Sequence, residues 1–280
     1  MIRHPRYEAG EPVGEGGQGR VVRVRDREAP DLALVAKVVR SRAGAGALRA
    51  EFAALCRLRL PGLATPHDLA TDEGTGDCFL VEELVAGPDA RAYVEQGASA
   101  SERRARFADV LSAVADTLAA MHDAGVLHGD LKPEHVRVDR SGRPVLLDLG
   151  AAVTRGDDAV ALTRAYAAPE ILAGARPSVA SDLHGLGAVA WAMVTGRPPP
   201  PARERRPLRE VTSELAPSVC DAVDRLLADH PRDRPEDARW LLGKLGARTA
   251  PRRGARPSEA PAARASPRID PRRAAGRDQT

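Results

Sequence analysis

In the first third of the chain, apolar residues alternate with polar ones or run together in short stretches. Residues 21–24 carry three valines directly after a glycine-rich segment, and residues 32–39 are mostly Leu, Val and Ala. A third run of this kind covers residues 78–85. Such runs, bounded by glycine, proline and polar clusters, are typical of strands. The third run ends just before Gly87-Pro88, a dipeptide that indicates a connector to the rest of the chain.

Apolar residues at spacings of three and four predict helices elsewhere. The first predicted helix covers residues 47–60, and a long one covers residues 102–124. In the long helix one face carries Phe107, Val110, Leu111, Val114, Leu118 and Met121. Further helices are predicted over 181–195, 217–228 and 236–245. This spacing matches the 3.6-residue period of an amphipathic helix.

The composition changes after residue 246. Residues 247–280 consist mainly of Ala, Arg, Pro and Ser, and they carry nine arginines against three carboxylates. The formal net charge of the whole chain is +3, so this segment contributes +6 and the first 246 residues −3. The basic charge therefore belongs to the segment, and the remainder gives no indication of a nucleic-acid surface. A segment of this composition buries too little surface to offset its ordering entropy, so it is predicted to be disordered.

Cysteine spacing and the apolar runs bear on the compartment. Cys56, Cys78 and Cys220 are far apart and form no CxxC pair, which favours reduced cytosolic thiols. The N-terminal residues lack the apolar stretch of a signal peptide, and the longest strongly apolar stretch, 186–194, is too short to span a bilayer. We expect a cytoplasmic protein with neither membrane nor nucleic acid among its partners.

A glycine-rich segment, Gly14-x-Gly16-x-x-Gly19-x-Val21, opens the strand-rich part. Alone this motif is weak evidence, because it also occurs in plain turns and in dinucleotide-binding folds, where it opens a helix. Here strand-like residues follow it, and Lys37 comes 18 residues after Gly19. The chain holds only three lysines among 42 basic residues, and two of them are Lys37 and Lys132. A compact ammonium contacts phosphate oxygens as a point charge, which a guanidinium fork does not reproduce.

A second group of motifs follows in the middle of the chain. It runs His128-Gly129-Asp130-Leu131-Lys132-Pro133-Glu134-His135, then Asp148-Leu149-Gly150, then Ala168-Pro169-Glu170. With the glycine segment, Val35-Ala36-Lys37 and Glu51, this series resembles the bacterial (Hanks-type) serine/threonine protein kinase family over residues 7 to about 246. Aminoglycoside-type phosphotransferases share the His-Gly-Asp step but lack the Ala-Pro-Glu segment and the lysine two residues after the aspartate.

The resemblance implies an α+β, bilobal protein kinase fold. The small β-rich N-lobe would cover residues 7–83, the hinge 83–87 and the mainly helical C-lobe 88–246, followed by the tail 247–280. The implied function is ATP-dependent phosphorylation of serine or threonine hydroxyls on proteins in cytosolic signalling, with autophosphorylation included. The tail would either carry autophosphorylation sites at Ser258 and Ser266, bind an acidic partner, or serve as a solvated linker.

The resemblance also assigns roles in phosphoryl transfer. Asp130 would accept or orient the proton of the substrate hydroxyl, Lys132 would steady the γ-phosphate, and Asp148 would hold Mg²⁺. Lys37 would contact the α- and β-phosphates and pair with Glu51. The nucleotide-binding residues are then Gly14, Gly16, Gly19, Val21, Val35, Lys37, Glu51, Glu83 and Val85. Two further matches are structural: Glu170 and Arg234 would form a buried ion pair, and Asp182 would brace the catalytic loop. Thr163 matches a threonine that contacts the catalytic Asp and Lys.

Five positions depart from the family pattern: Val35, Glu82, Gly129, His135 and Leu149. His135 stands where the family has a metal-binding asparagine, and Mg²⁺ prefers oxygen ligands. Either the enzyme is active, with Mg²⁺ or with Mn²⁺ as the alternative, or it is a pseudokinase that acts as a nucleotide-binding regulator or scaffold. Glu82 occupies the gatekeeper position, where it would compete with Glu51 for Lys37 or point to solvent. Gly129 replaces the arginine that pairs with a phosphorylated activation loop, which predicts that loop phosphorylation is not the activating step.

Overall fold

The computed structural model describes residues 2–16, 19–40, 42–149, 153–154 and 164–245. The predicted tail 247–280, Gly150 and Thr163 lie outside these ranges. The N-terminal part is a five-stranded antiparallel sheet with the strand order β1-β2-β3-β5-β4. The strands are β1 (Tyr7–Gly16), β2 (Gly19–Asp26), β3 (Leu34–Val39), β4 (Pro66–Thr71) and β5 (Cys78–Glu83).

Burial along the strands explains their positions in the sheet. In β2, Val22, Val24 and Asp26 are buried and the arginines between them are exposed, which is the alternation of a strand with one covered face. All six residues of β3 are buried, because β3 lies at the centre of the sheet between β2 and β5. Helix α1 (Arg42–Leu58) contacts β3, β4 and β5. The predicted runs 32–39, 47–60 and 78–85 therefore match β3, α1 and β5.

The rest of the described chain is mainly helical. Its helices are α2 (Ala90–Glu95), α3 (Ala100–Asp123), α4 (Pro169–Leu172), α5 (Val179–Thr195), α6 (Leu208–Val211) and α7 (Pro217–Leu226). Two small antiparallel pairs join β6 (Val126–Leu127) to β9 (Val153–Thr154) and β7 (Val136–Val138) to β8 (Pro144–Leu146). Short 3₁₀ turns cover Pro133–His135, Ala202–Glu204, Pro231–Asp233 and Ala238–Leu241. The α+β, bilobal prediction is confirmed.

Helix α5 is the centre of the helical part. Every residue from Asp182 to Met193 is buried, as expected for a helix that is apolar on all sides. A capping box between Ser178 and Ser181 fixes its start, and Gly196, with φ of 74°, ends it in the left-handed conformation. Helix α3 packs on α5 through the predicted apolar face. None of the helices in the described part of the chain has the length and apolarity required to cross a membrane.

One predicted helix is wrong. Residues 236–245 form a single 3₁₀ turn, Ala238–Leu241, followed by a turn-rich segment. Asp237 caps the turn by accepting from the backbone N–H of Arg239, and the Trp240 ring packs against the guanidinium of Arg225. The apolar residues that suggested a helix are held by these local contacts and by the core instead.

The connector after β5 fits closely against the helical part. The backbone N–H of Leu84 donates to Ala33, and that of Val138 donates to Pro88. At Gly87 an added Cβ would lie 1.8 Å from the carbonyl oxygen of Val138, so only glycine fits there without a shift of backbone. Asp89 then caps α2 by accepting from the N–H of Ala92.

Candidate active site

The glycine segment forms the paired ends of β1 and β2. Gly14 lies opposite Val21 and Gly16 opposite Gly19, while residues 17 and 18 lie outside the described chain. Gly19 has φ of 149°, and a Cβ there would lie 2.2 Å from the carbonyl oxygen of Val38. Glycine is therefore required at 19 by the fold itself. At Gly14 a Cβ would meet nothing within 4 Å, which leaves open space above the segment.

Strand pairing places the predicted nucleotide residues together. Val21 lies opposite Lys37 across the β2–β3 pair, and Val35 lies opposite Glu82 across the β3–β5 pair. Because alternate residues of a strand share a face, Val35 and Lys37 point to the same side of the sheet. Glu83 ends β5, and Val85 is buried just beyond it in the connector. The predicted hinge positions therefore follow β5, the strand that pairs with β3 and its Lys37.

Lys37 bonds to two carboxylates. Its Nζ donates to Oε2 of Glu51 on α1 at 3.0 Å and to Oδ1 of Asp148. The lysine is only 8% exposed and Glu51 is fully enclosed. Burial lowers the pKa of Lys37, but the Glu51 and Asp148 carboxylates outweigh it, and the net pKa is raised. Lys37 is therefore a charged ammonium that joins β3, α1 and the segment after β8.

Burial has the opposite effect on the acids of this cluster. It raises the pKa of Glu51 to about 7 against the attraction of Lys37, and Asp148 adds to the rise. Glu82 is not directed to solvent: it is 8% exposed, and burial followed by the Glu51 carboxylate raises its pKa to about 8. Of the two sequence-based alternatives for Glu82, the structure therefore supports a place in the Lys37 cluster.

Asp182 fixes the loop that carries Asp130. The two carboxylate oxygens of Asp182 accept from the backbone N–H groups of His128 and Gly129, each at 2.9 Å, and one of them also contacts Nε2 of His122. Gly129 has φ of 81°, a left-handed conformation that suits glycine. The motif series did not indicate the contact between His122 and Asp182.

The predicted catalytic pair lies directly after this anchor. Lys132 Nζ donates to Oδ2 of Asp130 at 3.0 Å. The two side chains are mostly buried but not sealed, since Asp130 is 9% and Lys132 19% exposed. The contact with Lys132 fixes the position of the Asp130 carboxylate, whose oxygens can accept a hydrogen bond from a hydroxyl group.

His135 connects Asp130 to Asp148. Its Nδ1 lies 2.9 Å from the backbone carbonyl oxygen of Asp130. A carbonyl oxygen only accepts, so Nδ1 carries the proton and Nε2 presents a lone pair. Burial lowers the pKa of His135 to about 4. The Asp148 carboxylate raises this pKa and the Lys132 ammonium lowers it, and the net result is a neutral ring. Nε2 faces Oδ2 of Asp148 at 3.5 Å.

These two facing atoms are the only candidate donors to a metal that the sequence indicated. A lone pair and a carboxylate oxygen that face each other at 3.5 Å would both be satisfied by a cation between them. Asp148 supplies the oxygen that magnesium prefers, whereas imidazole nitrogen suits first-row transition metals better. Within the described residues no set of three or more His, Cys, Asp or Glu side chains is arranged to hold a metal ion.

Glu170 and Arg234 form the ion pair that the sequence indicated. Nη1 and Nη2 of Arg234 donate to the two Glu170 oxygens at 2.6 and 2.8 Å, and the arginine side chain is completely buried. Arg234 also donates to the carbonyl oxygens of Ala180, Ala228 and Asp229. The pair joins α4 to the segment before Ala238.

Comparison with known proteins agrees with this geometry. The protein kinase domain family matches residues 7–258, so the chain belongs to that family. The chain is 31% identical over 271 residues to the serine/threonine-protein kinase PkaA of Streptomyces coelicolor, an alignment that covers 82% of this chain and 48% of PkaA. It is 31% identical over 292 residues to the serine/threonine-protein kinase pkn3 of Myxococcus xanthus, covering 88% of this chain and 52% of pkn3.

A third relative is the serine/threonine-protein kinase PknA of Mycobacterium tuberculosis, 28% identical over 281 residues, with 91% of this chain and 64% of PknA covered. The chain spans about half the length of the first two relatives. All three carry names of bacterial serine/threonine kinases, and the predicted family is confirmed.

Proposed function

We propose that this chain transfers the γ-phosphoryl group of ATP to serine or threonine hydroxyls of proteins, including itself, in cytosolic signalling. The observation that carries the proposal is the connected set of ionic contacts from Glu51 through Lys37 to Asp148. Phosphoryl transfer requires positioning and charge neutralisation rather than covalent catalysis, and this set supplies an ammonium and a carboxylate in one cleft.

The nucleotide would lie under the paired ends of β1 and β2. Gly14, Gly16 and Gly19 would let the backbone approach the phosphates, and Val21 and Val35 would cover the adenine. Glu83 and Val85 would contribute from the hinge, and Lys37, fixed by Glu51, would contact the α- and β-phosphates. The open space above Gly14 and the shared face of Val35 and Lys37 support this assignment.

Asp130 and Lys132 would act on the second substrate. Asp130 would take the proton from the attacking hydroxyl as its oxygen bonds to the γ-phosphorus, and ADP would leave with the electrons of the broken P–O bond. Lys132, 3.0 Å from Asp130, would steady the transferred group. A bound divalent metal supplies charge neutralisation at the β- and γ-phosphate oxygens.

Asp148 and His135 would hold that metal. The carboxylate suits Mg²⁺, and the neutral ring with a lone pair on Nε2 tolerates Mn²⁺ better than Mg²⁺. We therefore propose that Mn²⁺ supports at least as much activity as Mg²⁺. His135→Asn restores an oxygen ligand and should raise the Mg²⁺-dependent rate several-fold.

We further propose the boundaries 7–83, 83–87 and 88–246 for N-lobe, hinge and C-lobe. The compact unit that ends at residue 247 supports the last boundary. The net charge of +6 in residues 247–280 is suited to an acidic partner, and the predicted cytoplasmic location rests on sequence alone.

The test is phosphate transfer from γ-labelled ATP to the protein itself and to a generic basic substrate, with Mg²⁺ and with Mn²⁺. Asp148→Asn should abolish labelling. Asp116→Asn, the same substitution on an exposed position of α3, should retain it. Electron paramagnetic resonance can measure the affinity of Mn²⁺ for wild type and for His135→Asn, and it reports on the metal site independently of activity.

Labelling in wild type that Asp148→Asn lacks supports the kinase function. Labelling that survives Asp148→Asn would point to a contaminating kinase. Binding of ATP without labelling under either metal would favour the pseudokinase alternative, for which the substitution at His135 is the specific reason.

A further inference from the structure

A buried carboxyl group, Glu82, shares the face of the sheet that carries Lys37. Glu82 lies opposite Val35 in the β3–β5 pair, and Lys37 follows Val35 by two residues on the same face. The other titratable residues of the neighbouring strand β4 point away, because Asp68 accepts from the Tyr7 hydroxyl and His67 contacts Asp26 on the opposite face. Glu82 therefore lies on the face of the sheet that carries Lys37 and its partners Glu51 and Asp148, which form the Lys37 cluster.

The cluster holds more acids than bases. One ammonium, Lys37, pairs with the carboxyl groups of Glu51 and Asp148, and a third carboxyl group, Glu82, lies on the same face of the sheet. Lys37 is bonded to Glu51 and Asp148. Oε2 of Glu82 is buried without a hydrogen-bond partner, and so is Oε1 of Glu51. An ionised carboxylate buried in this way is unfavourable, and such a group takes up a proton instead.

We propose that Glu82 is a positioning residue for Lys37 that acts in its protonated form: as a neutral carboxyl it leaves the ammonium with Glu51 and Asp148, and its ionisation draws the ammonium away from the phosphates. The inference rests on the proposed function and deepens it.

Electrostatics agree with the geometry. Burial is the largest cause of the rise in the pKa of Glu82, which reaches about 8. The Glu51 and Asp148 carboxylates raise this pKa further, and the Lys37 ammonium lowers it. The neutral form therefore predominates at pH 7 and is lost as pH rises through about 8. Activity that depends on the neutral form must fall over the same interval.

The first test is the pH profile of kcat and of KM for ATP in wild type and in Glu82→Gln, which is neutral at every pH and similar in shape. Each profile is normalised to the kcat of the same protein at pH 7, so that a change in basal rate does not enter the comparison. One pH unit above the titration the normalised kcat of the variant should exceed that of wild type roughly tenfold, because about a tenth of Glu82 then remains protonated. Glu73→Gln, on an exposed site of the same sequence region, should follow the wild-type profile.

A role in packing alone would shift stability without moving the alkaline limb. Identical alkaline limbs in wild type and Glu82→Gln would overturn the proposal. If Glu82→Gln fails to fold, Glu82→Met, neutral and of similar volume, takes its place and should show the same extension.

The second test does not depend on catalysis. The infrared difference spectrum between wild type and Glu82→Gln at pH 7 should contain the carbonyl band of a protonated carboxyl group, which disappears above the titration. Absence of that band would overturn the proposal even in an active kinase. If the band is present in a protein that labels nothing, Glu82 is neutral as proposed and the proposed kinase function is what fails.

Discussion

The ion pair between Glu170 and the buried Arg234 should be costly to break. Arg234 is completely buried and donates to both oxygens of Glu170, at 2.6 and 2.8 Å, as well as to three backbone carbonyl groups. In Glu170→Gln the side chain keeps its shape but loses its charge. The guanidinium then remains buried with no carboxylate opposite it, and its remaining partners are neutral carbonyl oxygens.

The size of the effect follows from the burial. Removing one partner of a buried ion pair costs roughly 3–5 kcal/mol, since the other charge is left uncompensated. The carbonyl partners of Arg234 retain part of its solvation, so we expect a loss of about 3 kcal/mol in the free energy of unfolding. For a domain of this size each kcal/mol corresponds to about 2–4 °C, which gives a decrease in Tm on the order of 10 °C.

Urea unfolding at pH 7 measures this loss, with Glu210→Gln as the matched control. Glu210 of α6 pairs with Arg206, which precedes the helix, and both side chains are exposed, where such pairs contribute at most about 1 kcal/mol. Burial raises the pKa of Glu170, but Arg234 outweighs it and the net pKa is lowered. The stability due to Glu170 is therefore present above its unfolded pKa and disappears as pH falls through the folded pKa. Equal losses in the two variants at pH 7 would refute the reasoning.

Two further predictions concern the catalytic loop and the connector. In Asp182→Asn an amide N–H₂ replaces one acceptor oxygen, so one of the backbone N–H groups of His128 and Gly129 loses its acceptor. The free energy of unfolding should fall by about 1–3 kcal/mol and kcat should also fall. Chemical denaturation measures the first effect and steady-state kinetics the second. Gly87→Ala should destabilise by about 1–3 kcal/mol, since its Cβ would meet the Val138 carbonyl oxygen. Gly46→Ala in α1, where a Cβ meets nothing within 4 Å, should instead leave stability unchanged or raise it by up to about 1 kcal/mol.

Local patterns were sufficient for most of the central elements. β3, β5, α1, α3, α5 and α7 agree with the predicted ranges to within a few residues, because periodicity and capping are properties of the segment itself. The edge strands β1 and β4 had no such signal. β1 contains three glycines and a proline, and β4 is a half-buried strand with polar residues, so only pairing with β2 and β5 defines them.

The motif series indicated which charged residues to consider but not their contacts. The spacing of Lys37 and Glu51 suggested a pair, and the structure contains it. The environment of Glu82 depended on the register between β3 and β5, which is a property of two distant segments, and the sequence therefore left two alternatives open. Likewise, the tautomer of His135 depends on a backbone carbonyl five residues earlier, which no residue type reveals.

Glu82 lies on the sheet face that carries Lys37, and His135 belongs to a connected set of contacts that begins at Lys37. Lys37 bonds to Asp148, Asp148 faces His135 at 3.5 Å, and His135 bonds to the backbone of Asp130. Glu82 acts on this set through the charge of Lys37, and His135 acts on it through the orientation of Asp148. Residues in one such network do not contribute independently. If Asp148 and His135 hold a cation as proposed, a change in the protonation of Glu82 should alter how they hold it. The metal preference and the pH profile would then be two readouts of the same charge balance.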